Sequence, residues 1–156
     1  MKQLHFLHNS GELGFSFKNR GSLTISRDSE ALVNQLKQIP EIIEVVEVMG
    51  NLNLLPTSGN FIREVSSWEN KPENAENISL NIMVVSPESL NFYDFQLISG
   101  EMFTDADTES MVLLNETAVR AFGWHNPVGK QFSGETFGYQ SLSHLIVKGV
   151  IKHIYT

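Results

Sequence analysis

The chain contains no cysteine. That excludes disulfide frameworks, thiolate nucleophiles and cysteine-ligated zinc or iron–sulfur sites. The absence fits a reducing cytosol and an oxidising periplasm alike. Long apolar runs are missing too: none of the sequence reaches the ~18–20 residues that a membrane-spanning helix requires. The opening Met1-Lys2-Gln3-Leu4-His5-Phe6 has no apolar stretch of the kind that drives secretion. Positive charge is scarce. Eleven Lys and Arg stand against eighteen Asp and Glu, a net charge of −7, and the cations are scattered. Nucleic acid and anionic lipid headgroups are therefore poor partners.

Catalytic signatures are equally sparse. There is no Gly-x-Ser-x-Gly elbow. Gly11-Glu12-Leu13-Gly14 and Gly134-Glu135-Thr136-Phe137-Gly138 lack the Lys-Ser/Thr of a phosphate loop and read as turns. Of the five histidines, His5 and His8 could share a helical face as metal ligands, but no acidic third ligand lies near them. His125, His144 and His153 are isolated. Asp105-Ala106-Asp107-Thr108-Glu109 alternates carboxylates as a calcium loop does, without the loop glycine and the distal bidentate glutamate. It reads better as a solvated acidic turn. Asn77-Ile78-Ser79 and Asn115-Glu116-Thr117 match the glycosylation pattern; the first opens a strand and the second caps a helix, so both read as chance matches. Trp124 is expected to pack, whereas Trp68, in a polar stretch, is the candidate for an exposed contact. The residues nominate no catalytic, cofactor-binding or metal-binding site, and a non-enzyme is expected.

What the chain does have is globular composition: 156 residues, 41% apolar and 19% charged. A chain of this length buries enough surface to fold without a metal or a disulfide. Its pattern alternates strands and helices. Residues 22–26 alternate as a strand does. Asp28 or Ser29 caps a helix over 29–39 with Leu32, Leu36 and Ile39 on one face, ended by Pro40. Residues 42–49 are β-branched and read as a strand. Residues 50–77, rich in Gly, Pro and Asn, read as a long loop with a short strand near Asn60–Val65. Residues 78–85 form the clearest strand. Ser86 and Pro87 start a helix that runs to about Phe95. Gly100 marks a turn, and 111–114 is a short strand. Asn115 caps a helix with Ala118, Val119 and Phe122 on one face, and Gly123 stops it. Asn126–Gly129 is a turn, Gly134 and Gly138 punctuate a hairpin, and 145–154 is a long strand. On that last strand Leu145, Val147 and Ile151 are predicted on one face, with Lys148 and Lys152 on the other.

With 97–143 set aside, the order becomes β-α-β-β-α-β, the split βαβ, ferredoxin-like order. The expected fold is therefore α+β: one lobe of residues 1–96 plus 144–156, interrupted by a smaller α+β lobe of 97–143.

Several motifs occur in a recognisable series. Val85–Phe95 is followed by Leu97-Ile98-Ser99-Gly100-Glu101-Met102-Phe103, then Val112–Trp124, Asn126-Pro127-Val128-Gly129-Lys130 and Val147–Lys152. The series resembles the MacB-like periplasmic core domain of FtsX-type ABC transporter permeases. The likeness spans nearly the whole chain, more loosely in its first half, where Gln3–Phe6, Leu13–Phe15 and residues 29–46 fit. Glu101 stands where the family often has a basic residue, and His153-Ile154-Tyr155 departs from an Asp-Phe-His-like ending. The resemblance implies a porter-like lobe with an inserted lobe, placed outside the inner membrane between the first two of four membrane helices. It implies as partners the rest of the permease, a cytoplasmic ABC ATPase acting through it, a periplasmic adaptor or substrate, and a second copy in the full transporter. It implies no cofactor, and its matched residues have structural roles. The residues alone leave a ligand-binding sensor domain as the alternative and a hydrolase or metal enzyme as a third reading.

Overall fold

The computed structural model describes residues 19–20, 23, 30–46, 61–134 and 143–153. Of the strand expected over 22–26 only residue 23 is described; the rest of it, the cap expected at Asp28 or Ser29, the turn over 11–14, the end of the strand expected over 42–49, Gly138, His5 and His8 lie outside that set. The chain is α+β, as its pattern predicts. A six-stranded, mostly antiparallel sheet carries short helices. Helix α1 spans Glu30–Leu36, β1 Phe61–Trp68, β2 Ile78–Ile82 and α2 Pro87–Phe92. Strand β3 spans Leu97–Gly100, β4 Met111–Asn115, α3 Glu116–Ala121, β5 Gln131–Gly134 and β6 Leu145–Ile151.

The strands run in the order β2-β1-β5-β6. β6 is the hub. β4 pairs with it in parallel from Met111↔Ile146 to Asn115↔Ile151. β5 pairs with Leu145 and Ile146, and β3 pairs antiparallel with Gly149, Val150 and Ile151. The β5 and β3 contacts occupy successive stretches of β6, so these two strands share one of its edges and β4 takes the other. Among the described residues, β2 and β6 are separated by β1 and β5.

Two apolar clusters form on this sheet. The larger gathers Val65, Trp68, Leu114, Phe122, Trp124, Phe132, Leu145 and Val147. The smaller gathers Leu90, Tyr93, Phe95 and Ile151, with Leu113 packed against it. Leu113 and Leu114 are successive residues of β4, and successive strand residues point to opposite faces. The clusters therefore lie on the two sides of the sheet. β6 serves both because its register slips: Val112 faces Val147, but Leu113 faces Gly149. The extra residue, Lys148, is a β-bulge that reverses the alternation. This corrects the predicted single face of Leu145, Val147 and Ile151, since Ile151 belongs to the second cluster. β1 slips likewise between Val65 and Ser67. Val65 and Trp68, an odd number of residues apart, thereby reach the same cluster.

Both well-formed helices carry their sequence signals. Ser86 Oγ accepts from Ser89 N (3.2 Å), and Pro87 occupies the first turn. Asn115 Oδ1 accepts from Ala118 N (2.8 Å). Each helix ends with a doubled reverse turn. Gly123 N donates to Arg120 O and Trp124 N to Val119 O, with Gly123 at φ +69°. Asp94 N donates to Asn91 O and Phe95 N to Leu90 O, with Asp94 at φ +52°. This is the Schellman arrangement, in which a left-handed residue lets the last carbonyls find donors. It also explains why α2 stops at Phe92 rather than at the expected Phe95. Phe95 is the apolar residue that follows the cap and folds back into the core. Replacing Ser86 or Asn115 by alanine is expected to cost about 1 kcal/mol each. The double variant should lose close to the sum in urea denaturation, because the two caps share no partner.

Three other expectations change. α1 is shorter than 29–39, because Gln38 N and Ile39 N turn to Gln35 O and Leu36 O and tighten its last turn. Residues 42–46 are not in a strand, and Ile43 is fully exposed. β1 runs on to Trp68, so the strand inside the expected 50–77 loop is longer than its composition suggests, while the loop still ends where β2 begins at Ile78.

Candidate interaction surface

The turn over 127–130 separates two open grooves. The first, about 570 Å³, is bounded by Glu69, Asn70, Gly123, His125, Asn126 and Lys130 above a floor of Phe122 and Trp124. The second, about 470 Å³, lies between Gly100, Glu101, Asp107 and Lys148 on one side and Met111, Val128 and Ile146 on the other. Val128 and Gly129 line both. The turn is fixed to β6, since Gly129 N donates to Val147 O (2.8 Å) and Val147 N to Lys130 O (2.9 Å).

The first groove is shaped by one side chain from the end of β1. Glu69 accepts from Gln131 N at Oε1 (2.9 Å) and from Lys130 Nζ at Oε2 (3.3 Å), while its backbone oxygen accepts from Trp124 Nε1 (2.9 Å). Lys130 also sits 5.7 Å from the Trp124 ring centroid, a cation–π contact. Beneath them Phe122 stacks on Trp124 at 4.4 Å and meets Phe132 at 5.1 Å and Trp68 edge-on at 5.6 Å. Trp124 packs as expected. Trp68 does not match its expectation as an exposed contact. It is only 7% exposed, with Lys71 Nζ 4.6 Å from its ring centroid. Its polar sequence neighbours suggested a surface residue, but the β1 bulge turns it inward.

The second groove is walled by an ion pair that no sequence spacing announces. Lys148, on the β6 bulge, donates to both carboxylate oxygens of Asp107, at 2.7 and 2.5 Å. Asp107 also accepts from Thr104 N (2.6 Å) and Thr104 Oγ1 (3.1 Å). Glu101 stands 3.9 Å from Lys148 with its side chain 82% exposed. Asp107, singled out in sequence as one member of a calcium-like run, is thus committed to a lysine. Asp105 and Glu109 are exposed beside it. Among the described residues no group of three or more His, Asp or Glu converges as metal ligands would.

The Lys148 hydrogen bonds, and then that of the Thr104 backbone, hold the Asp107 carboxyl below its ordinary range. A carboxyl depressed in the folded state contributes stability in full above its unfolded value of about 3.9. The contribution disappears as pH falls through the lower folded value. Wild type is accordingly expected to lose melting temperature below about pH 4 more steeply than Asp107→Asn, which has no such titration. Thermal melts across that range in both proteins measure the difference.

The remaining histidines are dispersed. His125 lies exposed at the rim of the first groove. His144 N donates to Ser133 Oγ (3.1 Å), and His153 Nδ1 lies 2.9 Å from Thr117 Oγ1, which also accepts from Arg120 (2.9 Å). Asn115 spends its side chain on the α3 cap, and Asn77 Oδ1 accepts from Lys71 Nζ (3.1 Å). Among the described residues no side-chain hydroxyl lines either groove. What the surface offers is a shaped contact area whose carboxylates, Glu69, Glu101 and Asp107, stand against the lysines Lys130 and Lys148.

Among the described residues no helix is long and apolar enough to cross a membrane. Comparison with protein-family models, with curated proteins and with solved structures gives no match to any of them.

Proposed function

We propose that the chain is the extracytoplasmic domain of an ABC transporter permease of the FtsX type, similar to the MacB-like periplasmic core domain. In this reading it belongs to an inner-membrane protein and faces the periplasm. It relays movement driven by a cytoplasmic ABC ATPase through the membrane part, and it contacts a periplasmic adaptor or the substrate. Two copies stand side by side in the full transporter. The domain is not itself an enzyme.

The observation that carries the reading is the ordered series of motifs from Val85 to Lys152. Its members make structural sense as a set. Ser86 and Asn115 cap helices, Gly123 ends one, and Pro127–Lys130 forms the turn tied to β6. A porter-like split βαβ lobe of 1–96 plus 144–156, with 97–143 inserted, is part of the same proposal.

The domain itself has no cysteine, so a single one introduced into it reports its location once any cysteines elsewhere in the full-length product are replaced by serine. Ile43→Cys, at a fully exposed position, is the choice. Placed in the full-length gene product, it is expected to react in intact spheroplasts with a maleimide that cannot cross membranes. Labelling only after lysis would overturn the reading.

A further inference from the structure

Among the described strands, β2 is an unguarded edge. Among the described residues it pairs only with β1, in an unbroken register from Phe61↔Ile82 to Val65↔Ile78. Natural edge strands are protected by charge, proline, bulges or extreme shortness, because their free backbone groups invite another strand. β3 has such protection, being four residues long with a register slip at its centre. β2 has none of it. From Asn77 to Ser86 there is no charged residue, no proline and no glycine. Strongly β-forming segments of this kind are the ones that pair with other chains.

The side-chain pattern of β2 indicates what pairs with it. Ile78, Leu80 and Ile82 lie on the face of the larger cluster, and Ser79 and Asn81 lie exposed on the other. The order Ile-Ser-Leu-Asn-Ile is symmetric in kind about Leu80. In an antiparallel pair of two such strands, Leu80 meets Leu80, Ile78 meets Ile82, and Ser79 meets Asn81. The apolar row of each copy would then continue into that of the other, with polar facing polar on the open side. Charge points the same way. A cationic partner gains nothing at an uncharged edge, whereas two chains of net charge −7 approach with least repulsion where neither carries carboxylates.

We propose that the outer edge of β2 pairs antiparallel with the same edge of a second copy of this chain, in a two-fold register centred on Leu80. The contact is isologous and closes on itself, so it yields a dimer rather than a fibre. One five-residue strand per copy buries far less than the roughly 800 Å² per partner of a standard interface. The complex is therefore weak and concentration-dependent. It does not depend on what the permease transports; it requires that the edge left open by the described strands be open in the whole domain.

The test mixes equal amounts of Ser79→Cys and Asn81→Cys protein and oxidises them mildly. Disulfides form where Cβ atoms come within ~3.5–4.5 Å, so the mixed disulfide that joins one variant to the other is expected to exceed both homodimers by about tenfold. Its yield should rise with sodium chloride, which screens the repulsion of two acidic chains. Excess wild-type protein should suppress it, and excess Ser79→Lys protein should not. Circular dichroism confirms that each variant is folded. A statistical mixture of disulfides, no disulfide at any salt, or a yield that falls with salt would each overturn the proposal. The last outcome would point to a partner held by opposite charge.

Discussion

Replacing Phe122 by alanine is expected to destabilise the domain by about 3–5 kcal/mol, the range for removing a buried aromatic ring. Phe122 follows α3 and is only 4% exposed. Among the described residues it is the one ring in contact with Trp68, Trp124 and Phe132 together, stacking on Trp124 and meeting the other two at an angle. Its loss leaves a void bounded by two indoles and a phenyl ring, none of which can close it. Trp124 is held by its hydrogen bond to Glu69 O, and Phe132 and Trp68 are held by strand pairing. The expected effect exceeds that of either cap substitution severalfold. It should appear in urea denaturation as a lower midpoint with an unchanged slope. Quenching or exposure of the indoles gives a second signal from the same experiment.

Gly149→Ala is expected to cost about 3 kcal/mol, the upper end for overpacking a closed site. A Cβ at Gly149 would lie 2.6 Å from Glu101 O, 3.1 Å from Glu101 N and 3.1 Å from Leu113 Cδ2. Two of these are backbone atoms, which cannot swing aside as a flexible side chain can. Opposite stands Gly100, at φ +78°, where a Cβ would lie 2.7 Å from Gly149 Cα. The paired glycines let β3 cross close to β6 just beyond the Lys148 bulge. An alanine at Gly149 therefore loosens β3 and the loop that carries Asp107. The variant should also lose amide protection in β3 ahead of β1 and β2, which separates a local opening from global destabilisation. Uniform loss of protection across the sheet would show that the close crossing is not a local weak point.

Some of this architecture was legible in the residues. Caps and stops are local chemistry, so Ser86, Asn115 and Gly123 announced the helix boundaries that the structure displays. The period of two in Ile78, Leu80 and Ile82 announced β2. The bulges were not legible, because a strand pattern assumes that the alternation never slips. At Lys148 it does, and the faces predicted for Leu145 and Ile151 came apart. Trp68 failed for the same reason, compounded by polar neighbours that suggested a loop. β3 was missed because four residues ending in glycine carry too little pattern. The grooves were the least legible part. Lys148 and Asp107 are 41 residues apart in sequence. Glu69 joins Trp124, Lys130 and Gln131 only because β1 and β5 become neighbours. Such long-range pairings follow from sheet order, which residue spacing does not encode.

The same distinction governs the functional reading. The motif series is a property of the sequence, and the residues in it that the structure explains serve helix ends, turns and close strand crossings.

The most direct test of the account is what the full-length gene product brings with it. It should be extracted from membranes in mild detergent and purified by a tag, and the accompanying proteins identified by mass spectrometry. The account predicts that it fractionates with the membrane and brings down an ABC ATPase in stoichiometric amount. A product recovered from the soluble fraction with no ATPase attached would contradict it.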